Sequence, residues 1–245
     1  MRPAYFTLTD EGFAPGESAK SWWVPGMIHG RLLAGLLARE LETTHGDPEF
    51  QFSRLTVDMF RNAPFEPVQV SSVVVRQGRR IRVTEATVTT GIGAVARASA
   101  VQLRRGEQPP SPVPTRTPPW DAPDPGTLPR SVHEFGDEGH PARRRMWIKE
   151  KSPLVDGEIL SPFVRAALAA DMASPLAHRS EDELEFINAD YTLTLSRDPV
   201  GDHIGLESGG HASEAGVAVG HCAMHDTRGP IGYSMAVAVA NIRNV

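Results

Sequence analysis

The sequence predicts an α+β protein made of two tandem units, each a helix wrapped by one antiparallel sheet. Three observations carry that prediction. Each half of the 245-residue chain holds one strongly apolar helical stretch followed by runs rich in Val and Thr. A proline-dense segment separates the halves, and a single offset relates positions in one to positions in the other: Thr56 to Thr192, Arg61 to Arg197, Ala98 to Ser234 and Val101 to Val237. Repetition of this kind favours a tandem duplication over two unrelated domains.

The first helix is read from Met27 to Glu42. Ile28, Leu32 and Leu36 form one stripe and Leu33, Leu37 and Leu41 the adjoining one, at helical spacing. Ala34, Gly35 and Ala38 fill most of the remaining circumference, so the helix is apolar nearly all round and must be enveloped by other structure. Strands follow at Leu55 to Phe60, Val68 to Arg76, Arg80 to Thr89 and Ala94 to Arg104, broken by Gln77-Gly78 and Thr90-Gly91. Turns that short force antiparallel pairing, because a parallel return needs a crossover of about a dozen residues.

Between Pro109 and Pro129, nine of twenty-one residues are proline, which forbids helix or central strand. The expected organisation is a first unit over 1–106, a linker over 107–145 and a second unit over 146–245. In the second unit Ser161 is an N-cap and Pro162 the first helical residue of a helix running on through FVRAALAADMAS. Strands are expected at Ile187 to Ser196, His203 to Ser208, Gly216 to Met224 and Gly232 to Ala240, with Asp226 to Gly229 as a turn.

A formal charge of -5 argues against nucleic acid or an anionic membrane as the main partner. The basic clusters at Arg79-Arg80, Arg104-Arg105 and Arg143-Arg144-Arg145 are separate and read as solvated surface. Cys222 is the only cysteine, which excludes an intrachain disulfide and a Cys-based zinc site and fits a reducing compartment. The first residues lack the apolar core of a signal peptide, and no run approaches the length of a membrane span, so the expected location is the cytoplasm. The histidines show no metal spacing, and G-x-S-x-G, P-loop and G-x-G-x-x-G motifs are absent. No metal or cofactor is expected.

Asp171 is the first candidate for chemistry, as the only acidic residue between Glu158 and Glu181, inside an apolar stretch. A carboxylate in an enveloped helix is penalised by desolvation unless hydrogen-bonded, and one so placed can bind and deprotonate a water. Read blandly, it closes the last exposed turn of the helix. The same offset places Gly35 in the first half, so the acid is present once only. Asn188, opening the next strand, carries a carboxamide able to orient a water or carbonyl, or else is a turn residue. His29 and Gly30 stand at the start of the first helix, where free N–H groups could polarise a substrate carbonyl as an oxyanion hole does. Read blandly, His29 is a surface or cap residue.

Taken together, the stretches HGRLLAGLLARELE from His29, RLTVDMFRNAPFEPVQVSSVVVRQGRR from Arg54, SPFVRAALAADMAS from Ser161, INADYTLTLSRDPVGDHIGL from Ile187 and HDTRGPIGYS from His225 resemble the acyl-CoA thioesterase II type, especially its actinobacterial members. That resemblance implies a double hotdog fold, two hotdog repeats forming one continuous body. It also implies an acyl-CoA or acyl-carrier thioester as substrate, CoA phosphates meeting surface arginines such as Arg79 and Arg80, and assembly as a homo-oligomer. In such thioesterases a helix aspartate, a Thr or Asn at the next strand's start and a glutamine in the last strand hold the attacking water. Asp171 and Asn188 take the first two roles. The third fails, because Ala236 stands where the pattern puts glutamine. Two further readings follow: a protein that binds acyl thioesters without turning them over, and a hydratase on the same fold, suggested by Ile28-His29-Gly30 but lacking the D-x-N-P-x-H stretch of such enzymes.

Overall fold

The computed structural model describes residues 2–111, 113–114, 120–128, 132–137, 140–180 and 184–241. A short hairpin, β1 (Phe6–Thr9) and β2 (Gly12–Pro15), leads into α1 (Gly30–His45) and then four strands: β3 (Phe50–Met59), β4 (Gln69–Gln77), β5 (Ile81–Thr90) and β6 (Gly93–Arg104). After the proline-rich stretch come β7 (Val132–Asp137) and β8 (His140–Lys149), two short helices α2 (Pro162–Ala170) and α3 (Ala173–His178), and β9 (Phe186–Asn188), β10 (Asp190–Leu195), β11 (His203–Glu214), β12 (Val217–Asp226) and β13 (Gly229–Ala240).

The α1 helix is enveloped as its composition requires, with Leu32, Leu33, Leu36, Leu37 and Leu41 all buried. Its two arginines reach across to the second half, Arg31 to Glu150 and Arg39 to Glu158. Gly35 faces α2, where an added Cβ would stand 2.6 Å from Leu168 Cδ2, so glycine sets how closely the two helices pack.

Every strand of the large sheet pairs antiparallel with its neighbours, in the order β4-β5-β6-β3-β10-β13-β12-β11-β8-β7, with β9 also on β13. The two halves join through β3 and β10, where Thr56 pairs with Thr192 and their hydroxyls meet at 3.0 Å. These two threonines are also related by the sequence offset of 136. On either side of this seam the strand order is the same, β3-β6-β5-β4 against β10-β13-β12-β11.

The second half departs from expectation in two places. Its helix does not continue through Ser174 but breaks after Ala170, and α3 begins at Ala173. Pro175 is the cause: it has no N–H to give the Asp171 carbonyl, and its ring crowds that carbonyl four residues back. The first half has Arg39 at the corresponding position and its helix is continuous. Secondly, the tail of the expected linker is sheet. Strand β7 starts at Val132, and β8 runs through the expected boundary at 145 to pair with β11.

Residues 120–128 lie as a strap against the outer face of the second half. Trp120 stacks on His225 with ring centroids 4.3 Å apart, meets Trp147 edge-on at 5.1 Å and fills the space over Gly205. Asp121 pairs with Arg143 and Arg145, and Arg143 also pairs with Glu207. The arginine run expected to be solvated therefore holds the strap down; Arg145 is buried.

Candidate active site

The end of α2 is fixed by side chains from three other elements. A helix leaves its last carbonyls without intrahelical partners. Here the Tyr191 hydroxyl donates to the Ala167 carbonyl at 2.8 Å, the Ser234 hydroxyl to that of Ala170 at 2.8 Å, and Arg31 Nη1 to that of Leu168 at 3.4 Å. Asp171 follows directly, and its side chain turns inward rather than towards solvent, leaving the residue 7% exposed.

Its partner is Asn188, whose Nδ2 donates to Asp171 Oδ1 at 3.0 Å. A jog in the chain points Asn188 inward. Between β9 and β10 the register on β13 slips by one residue, and the Asp190 carboxylate accepts the Val237 N–H at 2.9 Å to hold the bulge. Burial raises the pKa of Asp190 while the Val237 N–H opposes it.

The N-terminus of α1 faces the same region. His29 is the N-cap, with Nδ1 toward the Arg31 N–H at 3.4 Å, and among the described residues the Gly30 N–H has no acceptor. Gly30 packs tightly on Met59, since a Cβ there would come within 2.9 Å of the sulfur. Burial lowers the pKa of His29, and the Asp171 charge works against that shift, so the two groups feel each other. Arg31 lies between α1 and α2 and is gripped by Glu150 at 2.6 and 3.0 Å, with the Tyr5 hydroxyl alongside at 3.4 Å. Burial opposes its charge, but Glu150 outweighs burial and keeps it protonated.

Asp171, Asn188, His29 and Gly30 thus gather around one seam between α1, the end of α2 and β9. Arg79 and Arg80 do not. They sit exposed in the β4–β5 turn, and their neighbour Arg82 binds Asp47 just beyond the far end of α1, about 24 Å of helix away from His29. Ala236 faces inward opposite Gly220, and the residue directly across from Asn188 is Ala238, also inward. The last strand therefore offers no amide at either position. Arg31, Glu150, Tyr191, Ser234 and Asp190 escape a reading of the sequence, because each acts through a partner distant in the chain. Cys222 is no nucleophile here: burial pushes its thiol up to about 12, and it donates to the Ala173 carbonyl at 3.6 Å. Among the described residues no group of three or more His, Cys, Asp or Glu could hold a metal ion, and no helix is long and apolar enough to cross a membrane.

A helix enclosed by antiparallel sheet is the hotdog architecture. Solved structures agree on the fold: an acyl-CoA thioesterase II, TesB2, from Mycobacterium marinum (TM-score 0.67, 14% identity, 87% of this chain and 91% of that one); a tesB protein from Mycobacterium avium subspecies paratuberculosis (0.62, 16%, 88% of each); and a conserved hot dog fold protein from Alicyclobacillus acidocaldarius (0.70, 16%, 89% of each). Among family profiles, the acyl-CoA thioesterase N-terminal domain matches residues 19–103 and the C-terminal domain residues 94–239. The chain belongs to the acyl-CoA thioesterase family. No curated protein matches it.

Proposed function

We propose that this protein is a double hotdog thioesterase that hydrolyses an acyl-CoA or acyl-carrier thioester in the cytoplasm, using a water activated by Asp171. Its repeats are the segment ending near residue 106 and the one carrying α2 to β13, with β7 and β8 widening the second sheet. The observation that carries the mechanism is the 3.0 Å bond from Asn188 Nδ2 to the buried Asp171. It leaves Asp171 Oδ2 and Asn188 Oδ1 to hold one water between them. Asp171 takes a proton as the water oxygen bonds to the thioester carbon. The resulting oxyanion is met by the N–H groups at the start of α1, Gly30 foremost. Collapse breaks the carbon–sulfur bond, and the proton returns from Asp171 to the departing thiolate.

A second reading is favoured by Ala236 and Ala238: a protein that binds acyl thioesters without turnover. Acyl-CoAs from short to long chain, followed by free thiol release, separate the two. Hydrolysis by the wild type and its loss in Asp171→Ala support the first reading. Equal rates in both proteins on every substrate overturn it, and thermal stabilisation by acyl-CoA without product then supports the second.

Copies of the chain assemble, in this proposal, through the outer face of β12 and β13. Val217, Val219, Tyr233, Met235, Val237 and Val239 are all more than 40% exposed there, and Val217 pairs across strands with Val239 and Val219 with Val237. This uncharged strip offers on the order of 500 Å², most of what one side of a standard interface of ~800 Å² buries.

A further inference from the structure

His29 is asked to accept two hydrogen bonds that a neutral imidazole cannot both accept. The Trp22 indole N–H donates to its Nε2 at 2.7 Å and the Arg31 backbone N–H to its Nδ1 at 3.4 Å. Both partners are donors only, and a neutral ring has one acceptor nitrogen. Whichever nitrogen holds the proton must face a donor. An acceptor in Trp22's place resolves the conflict, for then Nδ1 caps α1 and Nε2–H has somewhere to donate.

Trp22 is built to leave. It is 77% exposed, and among the described residues its indole makes a single hydrogen bond, the one to His29. The backbone beneath it is held independently: the Ser21 N–H donates to the Met27 carbonyl, and the Ser21 hydroxyl accepts from the Trp23 and Val24 N–H groups. The side chain can rotate away without unfolding the turn. A tryptophan this exposed, whose indole bonds among the described residues only the imidazole that caps the site's helix, is placed to exchange with a ligand.

We propose that Trp22 is a removable stop on His29, and that the thioester carbonyl oxygen displaces it and accepts a hydrogen bond from His29 Nε2. This rests on the thioesterase reading above. It gives the site a third polar side chain beside Asp171 and Asn188, from the opposite half of the molecule, where β13 has alanine at positions 236 and 238. His29 then touches the substrate and helps the Gly30 N–H hold the oxyanion, while Trp22 makes binding selective for a ligand carrying an acceptor.

The test follows the indole N–H resonances of 15N-tryptophan protein, with the Trp22 signal assigned by its absence in Trp22→Phe. Acidification reads the free state. Burial holds the pKa of His29 below the usual value, and the charges it feels are those of Asp171 at the end of α2, Arg31 on α1 and Glu150 beyond β8. The Trp22 signal should therefore move with a midpoint below about 6.5, and should not do so in His29→Gln. Next, a ketone analogue of an acyl-CoA, with methylene in place of the thioester sulfur, should shift the Trp22 signal, in Asp171→Asn as in the wild type. An analogue lacking the carbonyl should bind without that shift. In turnover, His29→Ala should lower kcat about 100-fold, as loss of an oxyanion donor does, with partial rescue in His29→Gln. Trp22→Phe should lower KM about fivefold, the weight of one neutral hydrogen bond. Binding of the ketone analogue with the Trp22 signal unmoved overturns the stop while leaving the thioesterase reading intact. Failure of every acyl-CoA analogue to bind overturns both.

Discussion

Glu150 grips the Arg31 guanidinium through both carboxylate oxygens, at 2.6 and 3.0 Å, and ties the first helix of the chain to the strand end that precedes the second. The arginine side chain is 15% exposed and the glutamate 5%. Removing one member of a buried pair strands the other charge, which costs about 3–5 kcal/mol. Glu150→Ala should lower the unfolding free energy in urea by that amount, and Arg31→Met with Glu150→Met should recover much of it.

Asp171 and Asn188 should separate in kinetics. Asp171→Asn keeps the shape but removes the base, and kcat should fall by about 10²–10⁴. Asn188→Ala removes the group that orients the carboxylate, and a smaller fall of about tenfold is expected. Asn188→Asp, which sets two carboxylates together, should be as inactive at neutral pH as Asp171→Asn. Free thiol release under saturating substrate measures all three.

Stability should depend on pH in two steps. Burial lowers the pKa of His29, His178 and His225. Above about pH 6.5 these rings are neutral in both states and contribute no pH dependence. As pH falls through that value the unfolded chain takes up protons that the folded one does not, so unfolding is favoured until the folded rings also titrate. Lys149 beside Asp202 lowers that carboxyl, and Arg197 outweighs burial to lower Asp226. Their stabilisation is present above about pH 4 and is lost as pH falls through their depressed folded values. Urea midpoints should be flat from pH 8 to 7, decline from about 6.5 and fall again below about 4.

The Trp120 strap can be tested by a double-mutant cycle. A methyl group at Gly205 would stand 2.4 Å from Trp120 Cζ2. Gly205→Ala should cost about 1–3 kcal/mol by overpacking and almost nothing in a Trp120→Ala background, where the ring is gone. Additive costs would mean that the strap does not sit on β11 in solution.

Assembly through the valine face should respond to charge. Val219→Glu with Val237→Glu places four like charges across a two-fold interface, and sedimentation should show monomer where the wild type shows dimer or larger. An unchanged distribution would remove β12 and β13 as the contact.

Local chemistry made much of this molecule readable from residues alone. The leucine stripes of α1, the Ser161-Pro162 helix start and the Val- and Thr-rich strands depend on neighbours within a few positions, and the structure shows them near where spacing puts them. Asp171 stood out because one acid in an apolar helix is costly. The structure decided what that acid does. Pro175 cuts the helix beside it, where the helical pattern ran on to Ser174; Asp190 bends the next strand so that Asn188 can reach it; and Tyr191, Ser234 and Arg31 hold the helix end still. The same holds for His29, which spacing marked only as the start of a helix, whereas the fold sets it between Trp22 and the seam and moves Arg79 and Arg80 to the other end. Periodicity records which face of an element is buried. Register and side-chain pairing depend on residues far apart in the chain, from 17 positions for Asn188 and Asp171 to 137 for Arg31 and Leu168, and only the packed chain brings those together.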